Sequence, residues 1–322
     1  MEFQIEGIAS TGDPADAVMI MSCPFSNFSA RDCAVGQAHG LVPCCIGLAW
    51  ANRGDEKLSD IATGTCSVEA DDTPKTLQPC PVCNSPFTAY VRKIPTIRTH
   101  RLINLYTCLE CESFWNPSGY RESEEQLARD LQWGLGVAER NVKATHDLFA
   151  KLSELGVKPK TVAEIGCGIG TLLKTARAMG KSVVGFDVNH RAIEYAVKEN
   201  RVEAYAAMWS SQTKTIPIDL YLSIMVLEHI DQPRPLIKEL CTAAIRHKSA
   251  LFISVPFADR SRWPNILNPD PKVPGTLFFD NDVHVTHFSK EGLMRAMAEF
   301  GITNTRYVAA GLWHGILGTT TS

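Results

Sequence analysis

The sequence predicts an α/β protein with a doubly wound, mostly parallel sheet, preceded by a small module built on paired cysteines. Three observations support this prediction. From about residue 158 apolar strands and amphipathic helices alternate, a glycine-rich turn follows the first of these strands, and two Cys-x2-Cys pairs lie upstream. Alternation of this kind is typical of a parallel sheet with helices on both faces.

The individual elements follow from apolar periodicity and from the residues that interrupt it. A sixth strand is expected at 303–309. An antiparallel seventh strand would have to lie in the final stretch, 312–319, which is so rich in glycine that the sequence leaves its presence open. The other expected strands are 161–165, 182–186, 202–207, 220–225 and 251–255, and the expected helices are 123–135, 137–155, 171–179, 190–199 and 233–247.

Composition and charge restrict the class of protein. The chain has 322 residues, 45% of them apolar and 21% charged, so it can bury a substantial core. Its 32 basic and 35 acidic residues give a net charge of −3, which argues against general attraction to nucleic acid or anionic membranes. Residues 1–7 lack the basic and apolar regions of a secretory signal, so we expect a reducing cytoplasm.

One uncharged stretch, residues 33–52, has the length of a membrane span. It contains glutamine, histidine, proline and three glycines, which suit a loop better than a lipid environment. We therefore expect no membrane association.

The paired cysteines have the spacing Cys-x2-Cys-x24-Cys-x2-Cys. Four thiolates presented by two tight turns suit the tetrahedral geometry of a structural zinc ion. Four protein ligands also leave no open coordination position for catalysis. The expected zinc ligands are Cys80, Cys83, Cys108 and Cys111.

We divide the chain into four parts: an acidic segment of unknown role (1–78), a zinc-binding module (79–118), a helical linker or lid (119–157) and the α/β domain (158–322). The first part holds 4 basic and 11 acidic residues and shows no sustained helical or strand period. Its five cysteines form no Cys-x2-Cys pair, so we expect scattered buried thiols rather than a second metal site. These cysteines are Cys23, Cys33, Cys44, Cys45 and Cys66.

The most informative motif is the run 162–171, Val-Ala-Glu-Ile-Gly-Cys-Gly-Ile-Gly-Thr. Glycines at such a turn let the backbone approach a ligand, and the following helix N-terminus offers free N–H groups. Asp187 ends the next strand, where a carboxylate can accept both ribose hydroxyls of a bound nucleoside. The spacing Gly-x-Gly-x-Gly departs from the nicotinamide-binding fingerprint.

These residues resemble the first two motifs of the S-adenosylmethionine-dependent methyltransferases of the Rossmann-like class. The resemblance extends over 162–302 and includes 220–233, with its Leu-Glu-His, and 284–289, His-Val-Thr-His-Phe-Ser. The cysteine module is similar to the zinc module of deoxysugar C-methyltransferases. The resemblance implies a methyltransferase that uses S-adenosylmethionine and holds a structural zinc.

The resemblance also implies roles for individual residues. Glu164 is expected near the methionine amino group, Gly166 and Gly168 under the methionine and ribose, and Asp187 on the ribose hydroxyls. Val188 and either Met208 or Trp209 would flank the adenine, with core packing as the alternative role of Trp209. The expected cofactor-binding residues are Glu164, Gly166, Gly168, Gly170, Asp187, Val188, Met208 and Trp209.

Glu228 and His229 follow the fourth strand, where the sheet topology places ligands and where the methyl group would point. Methyl transfer from a sulfonium is an in-line displacement that depends mainly on positioning, and it needs a base only when the nucleophile starts protonated. We expect His229 to be that base and Glu228 to orient it or act as a second base. The alternative is that the pair only stabilises its loop. His284 and His287 are weaker candidates.

The leading hypothesis is an enzyme that methylates carbon or oxygen of a small metabolite, such as a sugar nucleotide or natural-product intermediate, with 257–283 as a lid. The first alternative is an RNA base methyltransferase, but the acidic chain and the Leu-Glu-His sequence argue against it. The second is a non-catalytic module that binds a cofactor or partner protein. An RNA enzyme would use a basic strip formed by Arg92, Lys93, Arg98, His100 and Arg101.

Overall fold

The computed structural model describes residues 78–95, 102–117, 123–213, 216–258 and 283–320, and two short strands near the N-terminus. The strands are Ile8–Ala9 (β1), Val18–Met19 (β2), Thr88–Pro95 (β3), Leu102–Cys108 (β4), Phe114–Trp115 (β5), Thr161–Ile165 (β6), Ser182–Asp187 (β7), Ala204–Ala206 (β8), Leu220–Ile224 (β9), Ala250–Ser254 (β10), Thr286–His287 (β11), Asn304–Ala310 (β12) and Trp313–Thr319 (β13). The α-helices are Glu124–Gly136 (α1), Ala138–Glu154 (α2), Thr171–Ala178 (α3), His190–Lys198 (α4), Arg234–His247 (α5) and Lys290–Glu299 (α6).

A seven-stranded sheet has the order β12-β13-β10-β9-β6-β7-β8. Strands β8, β7, β6, β9 and β10 are parallel, and β13 pairs antiparallel with both β10 and β12. This confirms the predicted α/β fold with a mainly parallel sheet. The strand order reverses between β6 and β9, so the carboxyl ends of these two strands border the crevice in which such sheets bind ligands.

Local sequence signals account for the helix boundaries. Ser123, Asn189 and Ser289 are N-caps, and each side chain accepts a hydrogen bond from a backbone N–H of the first turn. Gly156 and Gly180 follow α2 and α3 with positive φ, a conformation that glycine adopts without strain. The alternating elements therefore form where the sequence predicts them, although β8 is shorter than the predicted 202–207.

The seventh strand, which the sequence left open at 312–319, is present as Trp313–Thr319. Its glycines are required by close packing. A Cβ atom at Gly315 would lie 2.5 Å from the carbonyl oxygen of Ile253, and one at Gly318 would lie 2.6 Å from Ile302 Cγ2. Glycine usually weakens a strand, but here it allows β13 to fit between β10 and β12.

The cysteine module forms a second sheet, of order β11-β5-β4-β3, with antiparallel pairing throughout. Strand β11 comes from the segment between β10 and α6, so the sheet joins residues far apart in sequence. Val82 and Trp115 of the module share one buried apolar cluster with Phe288, Leu293 and Met297. The module is therefore packed directly against the α/β domain.

Within the described part of the chain, no helix is long and apolar enough to cross a membrane. The uncharged stretch at 33–52 lies outside the described residues, as do the cysteines of segment 1–78.

Candidate active site

The glycine-rich turn between β6 and α3 forms the floor of the crevice. Gly166, Gly168 and Gly170 all have positive φ, at 82°, 50° and 72°. A Cβ atom at Gly166 would lie 2.1 Å from Val226 Cγ2, and one at Gly170 would lie 2.8 Å from Val202 Cγ2. A Cβ at Gly168 would meet nothing within 4 Å, so this glycine faces open space that a ligand can occupy.

Asp187 at the end of β7 determines the shape of this turn. Its carboxylate accepts hydrogen bonds from the backbone N–H groups of Gly168 and Asn189, each at 2.8 Å. Burial raises the pKa of Asp187, and these two hydrogen bonds oppose that rise. The carboxylate thus holds the turn and keeps further lone pairs that can accept hydrogen bonds from a ligand.

Glu164 lies beneath the turn in β6. Its side chain is buried, and Oε2 has no hydrogen-bond partner. Burial and the nearby charge of Asp187 raise the pKa of Glu164 well above its usual value. A cationic ligand group would stabilise the ionised carboxylate, and the ammonium of a bound amino acid has that chemistry.

The three residues expected to flank an adenine differ in exposure. Val188 is 48% exposed and Met208 is 81% exposed, both beyond strand tips at the crevice edge. Trp209 is 5% exposed, and its ring lies 5.7 Å from that of Tyr221 in the core. Val188 and Met208 are therefore accessible to a ligand, whereas Trp209 packs in the core.

Helix α1 lies over the turn. Asn189 Nδ2 donates to the Leu127 carbonyl oxygen at 3.0 Å. Burial has the largest effect on two pKa values near this turn: it raises that of Asp187 and lowers that of His229. The charge of Asp130 on α1 makes a smaller contribution that raises both pKa values. The charge of Asp130 thus acts on both carboxylate and imidazole, although its own side chain is exposed and accepts a hydrogen bond from Gln126 Nε2 at 2.6 Å.

The loop after β9 brings the predicted catalytic pair to the glycine turn. Met225 has a φ of 57°, a conformation that is uncommon outside glycine, and Leu227–His229 form one turn of 3-10 helix. Val226 contacts Gly166, as described above. The loop that carries Glu228 and His229 is consequently in direct contact with the floor of the crevice.

Glu228 is 1% exposed, and neither of its carboxylate oxygens has a hydrogen-bond partner. Burial raises its pKa to about 8. The carboxyl group is therefore protonated at neutral pH and can donate a hydrogen bond to a molecule in the crevice.

His229 is half-buried, and its Nδ1 lies 3.1 Å from the Val283 carbonyl oxygen. A carbonyl oxygen can only accept, so Nδ1 carries the proton and Nε2 has a free lone pair. Nε2 lies 3.9 Å from Glu228 Oε1, too far for a hydrogen bond. Val283, rather than the expected Glu228, thus holds the imidazole ring. Burial lowers the pKa of His229.

The two further histidines lie on the same side of the crevice. The ring of His284 is 4.8 Å from that of His229, in an edge-to-face arrangement. His287 is buried, and burial lowers its pKa to about 3. An imidazole with so low a pKa binds a proton too weakly to be a useful base near neutral pH, so His287 is a packing residue here.

The four paired cysteines come together. The distances between sulfur atoms are 3.7 Å for Cys80 and Cys111 and 3.6 Å for Cys83 and Cys108. All four sulfurs lie within 4.8 Å of one another. Tetrahedral zinc with Zn–S bonds of about 2.3 Å requires sulfurs about 3.8 Å apart, so the donor set fits this ion.

The family comparison decides the class of protein. A family model described as a methyltransferase domain matches residues 137–307, more than half of the chain. The chain belongs to the methyltransferase-domain family. This match supports the predicted methyltransferase class. A search of curated proteins finds no match.

Solved structures similar to this methyltransferase include human N-acetylserotonin methyltransferase in complex with S-adenosylmethionine, with 14% identity and a TM-score of 0.48. That match covers 61% of this chain and 57% of the human enzyme, so this chain spans less than two thirds of its length. Magnesium protoporphyrin IX methyltransferase from Synechocystis PCC 6803 with bound SAH has 14% identity and a TM-score of 0.41, over 63% of this chain and 90% of that one.

Sequence reasoning missed three contributors to the methyltransferase site: Asn189, Asp130 and Val283. Asn189 was detectable, because asparagine directly before a helical run is a common N-cap. Asp130 and Val283 had no local signal, since their roles depend on how α1 and the segment before β11 pack on the crevice. Residues 98–101 of the basic strip and most of the expected lid at 257–283 lie outside the described residues.

Proposed function

We propose that this methyltransferase transfers the methyl group of S-adenosylmethionine to a small molecule that contacts Glu228 and His229. The observation that carries the proposal is the contact of Val226 with Gly166, because it makes the glycine turn and the catalytic loop adjoining walls of one crevice. When bound, S-adenosylmethionine supplies an electrophilic methyl group on a sulfonium.

The residues present fit this cofactor. Glu164 has an unpartnered buried oxygen for the methionine ammonium, Gly168 leaves room for close approach, and Asp187 has acceptor capacity for the ribose hydroxyls. Val188 and Met208 are the exposed apolar side chains that would flank the adenine.

On the acceptor side, we propose that His229 Nε2 takes the proton that the acceptor loses on methylation. The Val283 carbonyl fixes the tautomer that this role requires. Glu228, protonated at neutral pH, donates a hydrogen bond to an oxygen of the acceptor. Burial raises the pKa of Glu228 and lowers that of His229. Glu228 can therefore act as the hydrogen-bond donor and His229 as the base at the same pH.

The acceptor must be small enough to reach a carboxyl group that is 1% exposed. It must also carry a removable proton, on oxygen or on an acidic carbon. A sugar nucleotide or a natural-product intermediate meets both requirements, and this choice is supported by the resemblance of the cysteine module and the Leu-Glu-His sequence to deoxysugar C-methyltransferases.

The proposal is tested by titrating the full chain with S-adenosylmethionine and S-adenosylhomocysteine in a calorimeter. Binding of one molecule of either per chain is expected. Incubation with methyl-labelled S-adenosylmethionine and fractions of small metabolites should then label a small molecule, whereas label found in RNA would favour the alternative class. Absence of binding to both nucleosides would contradict the proposal.

We further propose that Cys80, Cys83, Cys108 and Cys111 hold one structural zinc ion. Beyond the sulfur spacing, Val82 N–H and Cys111 N–H each point at the sulfur of the first cysteine in their pair, at 3.4 Å. Such N–H groups stabilise thiolates. Asn84 and Glu112, which follow the second cysteine of each pair, both have positive φ, so the two turns share one conformation.

Elemental analysis of freshly purified protein is expected to find one zinc per chain. Replacing Cys80 and Cys83 together by serine removes two of the four ligands and should abolish zinc binding. Cys241→Ser is the matched control, because Cys241 is a buried free cysteine in α5 outside the cluster, and it should keep one zinc. Zinc retained by the double variant would contradict the assignment.

A further inference from the structure

A chain of backbone hydrogen bonds links the cysteine module to the catalytic loop. Asn116 N–H donates to the Val285 carbonyl oxygen at 2.8 Å, and Val285 N–H donates to the Glu228 carbonyl oxygen at 2.8 Å. One residue further along, Thr286 Oγ1 donates to the Ile230 carbonyl oxygen at 3.0 Å. The segment around β11 thus lies between the module and the Glu228-His229 loop and is bonded to both.

This segment is also bonded to the second cysteine turn. Ser289 N–H donates to Ser113 Oγ at 3.1 Å, and Ser289 Oγ donates to the Cys111 carbonyl oxygen. Helix α6 approaches so closely that a Cβ atom at Gly292 would lie 2.6 Å from Ser113 Oγ and 3.1 Å from Cys111 Sγ. A movement of Cys111 therefore reaches the carboxyl end of β11, while Asn116 of the same module is bonded at its amino end.

The cofactor side is held differently. Gly166 N–H donates to the Phe186 carbonyl oxygen at 2.7 Å, and Gly168 N–H donates to Asp187. These bonds run within the seven-stranded sheet, from β7 to the turn that follows β6. The two walls of the crevice therefore depend on different parts of the molecule.

We propose that the cysteine module is a positioning element of the methyl-transfer site: with zinc bound, it fixes β11, and β11 fixes the loop that carries Glu228 and His229. The inference rests on the zinc site and acceptor site proposed above. Loss of zinc loosens the acceptor wall and leaves the cofactor wall in place. Thr286 and Ser113 are the positioning side chains, and both are fully buried.

The position of His229 makes this coupling measurable without a known acceptor. Its ring is held by Val283, two residues before Val285. Among the described residues, the titratable groups beside it are Glu228 and His284, and the charge of Asp130 also acts on it. If β11 loosens, the ring gains access to water, and its titration should move toward the value of an exposed histidine, about 6.5.

The test compares hydrogen–deuterium exchange in zinc-loaded protein, chelator-treated protein and zinc-loaded Thr286→Val. Thr145→Val is the matched control, because Thr145 is a buried threonine that also donates to a backbone carbonyl, at 2.7 Å within α2. The rate of amide exchange in 225–231 and 283–287 should rise roughly 2- to 10-fold in Thr286→Val, because the variant loses one hydrogen bond. The rate should rise further after zinc removal. Residues 161–178 should not change.

Two more readouts separate positioning from general destabilisation. The His229 resonance should titrate at higher pH in Thr286→Val than in wild type or Thr145→Val, and the affinity for S-adenosylhomocysteine should stay equal in all three. If chelation unfolds the whole chain, the comparison of zinc-loaded Thr286→Val with zinc-loaded wild type is sufficient to test the proposal. Unchanged exchange and an unchanged His229 titration in that variant would overturn the proposal. Failure of wild type to bind zinc or S-adenosylhomocysteine would instead overturn the proposed function.

Discussion

Asp187→Ala is expected to weaken S-adenosylmethionine binding by roughly ten- to a hundredfold, equivalent to about 1.5 to 3 kcal/mol. The substitution removes the expected ribose acceptor and also leaves the N–H groups of Gly168 and Asn189 without their partner. Because Gly168 faces the open part of the crevice, the turn should lose the shape that the ligand requires. Calorimetric titration of wild type and variant measures the effect.

A close structural control exists at the amino ends of the parallel strands, on the side of the same sheet away from the crevice. The Asp219 carboxylate also accepts two backbone N–H groups, from Lys160 at 2.8 Å and Thr161 at 2.9 Å. Asp219→Ala should therefore lower thermal stability but leave cofactor affinity at the wild-type value. Equal loss of affinity in both variants would show that Asp187 acts through general stability, and unchanged affinity in Asp187→Ala would remove it from the cofactor site.

Much of the fold was predictable because it depends on local patterns. Strands β6, β9 and β10 are almost continuously apolar, as expected of strands buried on both faces, and the helices between strands start at recognisable caps. The sequence left the seventh strand open for a physical reason. Its glycines are required by contacts with Ile253 and Ile302, which are distant in sequence, and a glycine count cannot reveal such contacts.

The sequence identified residues of the candidate site but could not predict their burial, hydrogen bonding or protonation. The motif spacing identified Glu228 and His229, yet the sequence could not show that Glu228 is fully buried without a hydrogen-bond partner. It also could not show that Val283, 54 residues further along the chain, holds the imidazole ring. Both properties depend on long-range packing, and they determine which group carries a proton at neutral pH.

His229→Ala is expected to slow methyl transfer by about 10²- to 10⁴-fold, the usual contribution of a general base, while cofactor affinity stays near wild type. Single-turnover rates with an identified acceptor measure the effect. His247→Ala is the control, since burial also lowers the pKa of His247, whose ring is bonded to Tyr221 within the α/β domain. Equal rates in His229→Ala and wild type would mean that the acceptor has no proton to lose and that positioning suffices.

The rate of methyl transfer should first rise and then fall as pH increases, which gives its pH profile an acid limb and an alkaline limb. The base form of His229 is neutral and its pKa is lowered, so the wild-type rate should rise with pH through a value below 6.5. The proton-donating form of Glu228 is lost as pH rises through about 8, so the rate should fall there. Glu228→Gln keeps a hydrogen-bond donor that does not titrate. It should retain activity at pH 7 and lose the alkaline limb, whereas an unaltered limb would exclude Glu228 as its origin.

The state of Glu228 can also be tested without an acceptor. An unfolded chain ionises this carboxyl near pH 4.5, whereas the folded chain keeps it protonated up to about pH 8. Folded wild type therefore loses stability relative to Glu228→Gln as pH rises between these values. Thermal unfolding should give similar midpoints for the two proteins at pH 4 and a higher midpoint for Glu228→Gln at pH 9. A difference that does not grow with pH would show that the Glu228 carboxyl is ionised in the folded protein, and the assignment of Glu228 as the hydrogen-bond donor would then fail.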